Sequence, residues 1–99
     1  MTTIKAKVNG KTYTADFYND DFGQVKYTKR CEVIDIEDYT EDGWWSILFE
    51  SKTENTNWTM VVKFEVNEDG ERTTNPIGAE LLNEDGIIID DYDVDVIVK

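Results

Sequence analysis

The stretch that decides the fold is Asn57-Trp58-Thr59-Met60-Val61-Val62-Lys63-Phe64-Glu65-Val66, in the second half of the 99-residue chain. Every second side chain in it is large and apolar, from Trp58 to Val66, and the intervening positions are mostly polar. Because successive side chains of a strand face opposite sides, this alternation predicts a long strand with one buried and one largely solvated face. The remainder of the chain must supply partners for the buried face.

The clearest local structure lies at the start of the chain, where residues 2–8 and 11–18 flank Asn9-Gly10. This dipeptide favours a type I′ turn, whose two central residues both need positive φ. A two-residue loop fixes the register of the hairpin. It predicts that one face carries the pairs Thr2–Phe17, Ile4–Ala15, Ala6–Tyr13 and Val8–Lys11, whereas Lys5 and Lys7 lie opposite Thr14 and Thr12 on the other face.

Between this hairpin and the central strand, polar segments separate two further strand-like runs. Residues 19–23 have the composition of a turn. Residues 25–37 follow, and the parity of their apolar positions changes within the run, so we expect a bulge between Lys29 and Val33. A polar turn at 38–43, a strand at 44–50 and a loop at 51–56 complete this part.

After the central strand, Asn67-Glu68-Asp69-Gly70 predicts a hairpin turn. Residues 75–90 allow two interpretations. Asn75 and Pro76 suit a helix start, and Gly86 suits a helix stop. Alternatively, 79–82 and 87–90 form a hairpin joined by 83–86. In the last segment the apolar residues Tyr92, Val94, Val96 and Val98 alternate with others, which predicts a C-terminal strand.

These elements predict an all-β fold for a single domain, residues 1–99, with one short helix near 76–83 as an option. Six to eight short strands separated by turn signals are typical of a small antiparallel sandwich or closed barrel. A chain of this length buries enough surface for one core without metals or disulfides.

Charge restricts the classes of partner. The chain holds 22 Asp and Glu against 10 Lys and Arg, and residues 31–99 hold 19 of the acids but only four of the bases. Direct nucleic-acid binding is therefore not expected, since Lys and Arg dominate contacts to phosphate. Anionic membranes are disfavoured for the same reason. A basic protein is the partner that this charge favours, and solubility alone is the other explanation.

The start of the chain lacks the apolar segment of a secretory signal, and no window reaches a membrane-spanning length. Cys31 is the only cysteine, so an internal disulfide is excluded, and its apolar neighbours favour a buried thiol. We therefore expect a cytoplasmic protein, in the host cytoplasm if the source is viral.

The residue inventory argues against an enzyme and against cofactors or metals. The chain has no histidine, which excludes Ser-His-Asp and Cys-His systems and the usual zinc sites. The oxygen-rich segments 38–42 and 90–95 lack the spacing of an EF-hand loop. Carboxylate pairs are expected by chance among 22 acids, and only a cleft carboxyl with a raised pKa would point to catalysis.

Rows of acidic side chains are the remaining candidates for a functional surface. Asp91, Asp93 and Asp95 fall on one side of the last predicted strand, and Asp35 and Glu37 form a second such row. Trp44 has the opposite parity to its apolar neighbours, which makes it a candidate for an exposed contact. The candidate partner-binding residues are Asp35, Glu37, Asp38, Glu41, Asp42, Trp44, Asp91, Asp93 and Asp95. The alternative is that these acids only solubilise the protein and protect a strand edge.

The leading hypothesis is a small binding or inhibitor protein whose carboxylates occupy a basic, nucleic-acid-binding site on a partner. In size and charge, though in no motif, the chain is similar to anti-CRISPR and other anti-defence proteins of phages and mobile elements, which suggests a nucleic-acid mimic. Two other classes stay open. One is a ligand-binding β-barrel with an aromatic-lined pocket. The other is an assembly subunit that self-associates through an exposed strand edge.

Overall fold

A computed structural model describes residues 2–17, 25–29, 31–52 and 56–99. Short polar turns divide this part of the chain into strands, and one 3₁₀ turn, Thr40–Asp42, is its only helical segment. The strands are β1 (Thr2–Val8), β2 (Lys11–Phe17), β3 (Val25–Lys29), β4 (Cys31–Tyr39), β5 (Trp44–Ser51), β6 (Thr59–Val66), β7 (Arg72–Leu82) and β8 (Val94–Val98).

The strands form two antiparallel sheets that pack face to face. The first sheet has the order β3-β2-β1-β8 and the second the order β4-β5-β6-β7. The predicted all-β class is confirmed, and the architecture is an open sandwich, not a closed barrel. β8 pairs with β1 although residues 9–93 lie between them in the sequence. This non-local pairing places the C-terminal strand at one edge of the first sheet.

The core lies between the sheets and is built around β6, as its alternation predicts. Trp58 and the inward residues of β6 are buried, and Phe64 stacks on Trp45 of β5 with 4.8 Å between ring centroids. The first sheet contributes Tyr13, whose ring meets Trp58 edge-on at 5.0 Å. The buried cluster contains Ile4, Ala6, Val8, Tyr13, Ala15, Cys31, Trp45, Ile47, Phe49, Trp58, Met60, Val62, Phe64, Val66 and Leu81.

The β1–β2 hairpin has the predicted register. Ile4 pairs with Ala15 and Thr2 with Phe17, and Lys7 faces Thr12 on the other side. Asn9 and Gly10 have φ of 50° and 86°, so both central residues of the turn are in the left-handed region.

Two turns with the same sequence, Asn-Glu-Asp-Gly, flank β7 and adopt the same hydrogen-bonded structure. In the first, Asn67 Oδ1 accepts the backbone N–H groups of Asp69 (3.0 Å) and Glu71 (2.9 Å). In the second, Asn83 Oδ1 accepts those of Asp85 and Ile87, both at 2.9 Å. The first turn confirms the hairpin predicted at 67–70. The second excludes the helix near 76–83, because residues 72–82 are strand and turn back at 83–86.

The second of these hairpins is less regular than predicted. After the turn, Leu82 forms a single bridge with Ile88, and Ile89 N–H donates to the Leu81 carbonyl at 2.8 Å. Residues 87–90 therefore lie beside the end of β7 without forming a regular strand.

The prediction for residues 25–37 was wrong in two respects. The run divides into β3 and β4, which belong to different sheets, so the chain changes sheets there. The register shift lies at Ile34 and not between Lys29 and Val33: Val33 pairs with Phe49 and Asp35 with Leu48, so Ile34 is the extra residue and is 47% exposed. Mixed parity thus came from a bulge and a change of sheet together.

One other boundary differs from the sequence prediction. β8 begins at Val94, not at Tyr92, although Tyr92 still packs against the core. The loops expected at 19–23 and, in its central part, at 51–56 lie outside the described residues, as does residue 18 of the hairpin. Within the described ranges, no helix is long and apolar enough to cross a membrane.

Candidate functional site

The end of the β4–β5 hairpin brings most of the predicted site residues together. β4 ends at Tyr39, the 3₁₀ turn follows, and Gly43, with φ 87°, returns the chain into Trp44. Tyr39 and Trp44 are register partners, and their rings stack with centroids 4.1 Å apart and an interplanar angle of 18°. Both rings lie on the outer face of the second sheet, because Trp45 faces the core.

A row of side chains continues from this aromatic pair across the outer face of the sheet. The Tyr39 hydroxyl donates to Glu37 Oε2 on β4. On the other side, Lys63 Nζ of β6 lies 4.8 Å from the centroid of the Trp44 ring and forms a 3.3 Å ion pair with Glu80 of β7. The row therefore crosses all four strands and consists, in order, of an acid, two aromatic residues, a cation and a second acid: Glu37, Tyr39, Trp44, Lys63 and Glu80. Such a cation–π contact holds the indole ring in place.

Several acids lie near Tyr39 at this end of the sheet. The pKa of Tyr39 is raised, chiefly because its hydroxyl donates to Glu37, and further by the negative charges of Glu37, Asp35 and Asp42. Asp35 and Asp42 are themselves exposed. We call the group Asp35, Glu37, Tyr39, Glu41, Asp42 and Trp44 the acidic–aromatic patch.

Asp38 has a different role from its acidic neighbours. Its Oδ1 accepts hydrogen bonds from the Thr40 hydroxyl and from the Thr40 N–H at 3.0 Å, and Oδ2 lies 3.3 Å from Arg72. The Thr40 hydroxyl, the Thr40 N–H and then Arg72 lower the pKa of Asp38. Arg72 also covers the ring of Trp45 at 5.4 Å. Asp38 therefore caps the turn and connects β4 with β7 at the end of the sheet.

The 3₁₀ turn carries the two remaining acids of the patch. Glu41 and Asp42 are exposed and line a shallow depression together with Asp38, Tyr39 and Thr40. Their exposure leaves these two carboxylates accessible to a partner.

The predicted row of Asp91, Asp93 and Asp95 does not form as expected. Asp91 and Asp93 precede β8, so only Asp95 lies in the strand. Asp95 pairs in register with Lys7 of β1, which places a positive charge beside it. The backbone of Asp93 is held by Asn9, whose N–H donates to the Asp93 carbonyl and whose Oδ1 accepts the Asp93 N–H. Asp95 belongs to the first sheet and Asp91 and Asp93 precede it, so none of the three belongs to the acidic–aromatic patch.

Four residues of the outer face were missed from sequence. Tyr39, Lys63 and Glu80 complete the row, and Ser46 is buried beneath it with an Oγ that has no hydrogen-bond partner among the described residues. The alternation of β6 already placed Lys63 outward. The pairing of Tyr39 with Trp44 could have been obtained from a short turn at 40–43, whereas the reach of Lys63 to Trp44 requires the β5–β6 register.

The other candidate chemistries find no additional support. Cys31 is buried, and this burial raises the pKa of its thiol to about 12, which keeps the thiol protonated. The described residues contain no group of three or more His, Cys, Asp and Glu side chains positioned for a metal ion.

Searches of protein-family models, curated proteins and solved structures found no match to this chain. The chemistry of the acidic–aromatic patch is therefore the basis for a functional conclusion.

Proposed function

We propose that this chain is a small acidic binding protein whose acidic–aromatic patch occupies a basic, nucleic-acid-binding site on a partner protein. The observation that carries the proposal is the stacked Tyr39–Trp44 pair surrounded by the carboxylates of Asp35, Glu37, Glu41 and Asp42. This arrangement offers a basic groove two features of nucleic acid, which are clustered negative charge and, at the 37% exposed Tyr39, an aromatic surface.

The energetics of the patch favour a partner over a purely structural role. Like charges near one another repel and weaken the folded state, so these acids contribute little to stability. Aromatic side chains are enriched at the centres of protein interfaces, where water is excluded from them. A basic partner would relieve the repulsion and cover the rings at once.

Size and charge extend the proposal to the class of protein. A chain of 99 residues with net charge −12 resembles anti-defence inhibitors of phages and mobile elements in character. We expect the bound surface to compete with nucleic acid for the partner's site. The three aspartates before and within β8 are a weaker candidate surface, since Lys7 lies opposite Asp95.

The alternative of an aromatic-lined ligand pocket has less support. The stacked pair of Trp45 and Phe64 and the edge contact of Tyr13 with Trp58 fill the interior with aromatic side chains that contact each other. Trp45 and Trp58 are both part of the buried core.

A pull-down from lysate with a matched pair of variants tests the proposal. The patch variant carries Glu37→Gln, Glu41→Gln and Asp42→Asn. The control variant carries Glu68→Gln, Asp69→Asn and Glu84→Gln, three exposed acids in the two Asn-Glu-Asp-Gly turns, and so has the same net charge. Bound proteins are identified by mass spectrometry at low and high salt.

We expect wild type and the control variant to retain a basic protein that the patch variant loses. Retention should weaken at high salt, since exposed charges are screened beyond about 8 Å at physiological ionic strength. Added oligonucleotide should displace the partner. Equal retention by all three proteins would remove the patch from the binding site. Retention that oligonucleotide leaves unaffected would show that the patch does not occupy a nucleic-acid-binding site.

A further inference from the structure

The free edge of β8 has the features of a strand that pairs with another chain. β8 is hydrogen-bonded to β1 on one side, and no strand of the described part of the chain pairs with its other side. Thr3 and Lys99 exchange both backbone hydrogen bonds at 2.9 Å. Since these exchanges recur every second residue, the N–H and C=O groups of Val94, Val96 and Val98 point toward the free edge.

Two of the other strand edges, those of β7 and β4, are better protected. β7 contains Pro76 and two register shifts, and residues 87–89 cover its end. β4 carries Asp35 and Glu37 and a bulge at Ile34. β8, in contrast, reads Val-Asp-Val-Ile-Val with regular register, and Ile97 on its outward face is 49% exposed. A regular edge of β-branched residues with a single charge is a template for strand addition.

An apolar groove runs along the same edge. It lies between β7 and β8 and is lined by Pro76, Gly78, Ala79, Val94 and Val96. Ala79 pairs with the core residue Val62 yet is exposed, because the sandwich is open on this side. A strand added to β8 would place alternate side chains over this groove.

We infer that the occupant of this edge is a second copy of the chain, with the two β8 strands antiparallel about a two-fold axis at Val96. This inference goes beyond the proposed function. In this register Val94 pairs with Val98 of the other copy, so the whole strand overlaps itself and forms about six backbone hydrogen bonds. The first sheet of each copy then joins that of the other copy to form one continuous sheet.

Charge complementarity selects this register over its neighbours. With the axis at Val96, Asp93 lies opposite Lys99 of the other copy, twice per dimer, and Asp95 lies opposite Ile97. A shift of the axis to Asp95 would place Asp95 opposite itself, which is unfavourable. A shift to Ile97 would retain opposite charges but lose about two of the backbone hydrogen bonds. Paired residues face the same side, so the valines of both copies cover the groove.

The test measures the oligomeric state of the full chain by sedimentation velocity over a range of concentrations. We expect a monomer–dimer equilibrium that shifts toward dimer as salt rises, because each copy carries net charge −12. This salt dependence is opposite to that expected for the basic partner, so the two proposals can fail separately.

Charge reversal tests the register. Asp93→Lys or Lys99→Glu alone should weaken dimerisation roughly tenfold, since each places like charges together at two equivalent pairs. The double variant should restore it. Val96→Pro should abolish the dimer, because it removes an N–H that β1 does not use. A thermal melt at low concentration checks each fold.

The result that would overturn the inference is a monomer at all concentrations and salts. A dimer that responds to neither single charge reversal would also overturn it, because that dimer would use another surface.

Discussion

At the residue scale, backbone conformation explains the importance of Gly10 without any contact. Its φ is 86°, and a side chain added there would meet no atom within 4 Å. Substitution is therefore unfavourable only through the left-handed backbone, which costs about 1–2 kcal/mol for an L-residue. The sequence could predict this position because Asn-Gly in a two-residue loop demands that conformation.

We expect Gly10→Val to lower the free energy of unfolding by about 1–2 kcal/mol. Gly78→Ala is the matched control, since the space around Gly78 is equally open and no positive φ occurs there. The control should be neutral or slightly stabilising, by up to about 1 kcal/mol. Urea denaturation of both variants gives the comparison, and equal losses would contradict the conformational explanation.

The Cys31 thiol provides a second residue-scale prediction. Burial raises its pKa from the ordinary 9.0 to about 12. A raised pKa means that folding favours the protonated thiol. The protonated Cys31 thiol therefore makes its full contribution to the free energy of unfolding below about pH 9. This contribution is lost as the pH rises from about 9 toward 12.

Accordingly, the native protein at pH 8 should react with a disulfide reagent only as fast as it unfolds, and urea should restore the full rate. Cys31→Ala combined with Glu68→Cys supplies the control, because Glu68 is exposed. Rapid labelling of the native wild type would indicate that the thiol is accessible.

At the element scale, alternation predicted β6 well because this strand faces a core on one side and mostly solvent on the other. Phe64 is fully buried and stacks on Trp45. Phe64→Ala should therefore lower the free energy of unfolding by about 3–5 kcal/mol. Glu65→Ala, one position along the strand and exposed, should change it by no more than about 0.5 kcal/mol. An unchanged urea midpoint for Phe64→Ala would contradict the placement of the core.

The two Asn-Glu-Asp-Gly turns give an element-scale comparison within one molecule. Each asparagine Oδ1 accepts two backbone N–H groups. Asn67→Ala should lower the free energy of unfolding by about 1–2 kcal/mol, since a neutral hydrogen bond contributes about 1 kcal/mol.

Asn83→Ala should have a smaller effect on global unfolding than Asn67→Ala. Asn67 joins β6 to β7, whereas Asn83 joins β7 to residues that form a single bridge and can open locally. Urea denaturation with the matched Asn67→Asp and Asn83→Asp variants isolates the acceptor, because aspartate keeps that oxygen. A larger loss for Asn83→Ala would contradict this order.

The elements that sequence reasoning misplaced share a physical cause. The parity of residues 31–37 depends on the bulge at Ile34 and on the change of sheet that precedes β4, and neither has a local sequence signal. Residues 75–82 carry helix-start residues, yet pairing with β6 determines their conformation. Tertiary pairing overrides local preference in both cases.

At the scale of the whole molecule, the sheet topology could not be obtained from sequence because it rests on non-local pairs. β1 pairs with β8, so Asp95 lies opposite Lys7, whereas Asp91 and Asp93 precede the strand and do not continue a row with it. The candidate site was partly predicted for the opposite reason. Residues 35–44 form a local hairpin, so its acids and Trp44 come together through one short turn.

The net charge of −12 leads to the last prediction, which concerns cations. Like charges on one small protein repel and destabilise the folded state, so any cation should raise the melting temperature by screening. A specific calcium site would add a further increase by mass action, since it binds only the folded state. No suitable set of ligands occurs in the described residues. Calcium and magnesium at equal ionic strength should therefore give equal, small increases in calorimetry. A larger increase with calcium alone, which titrates to saturation, would establish a site that these residues do not explain.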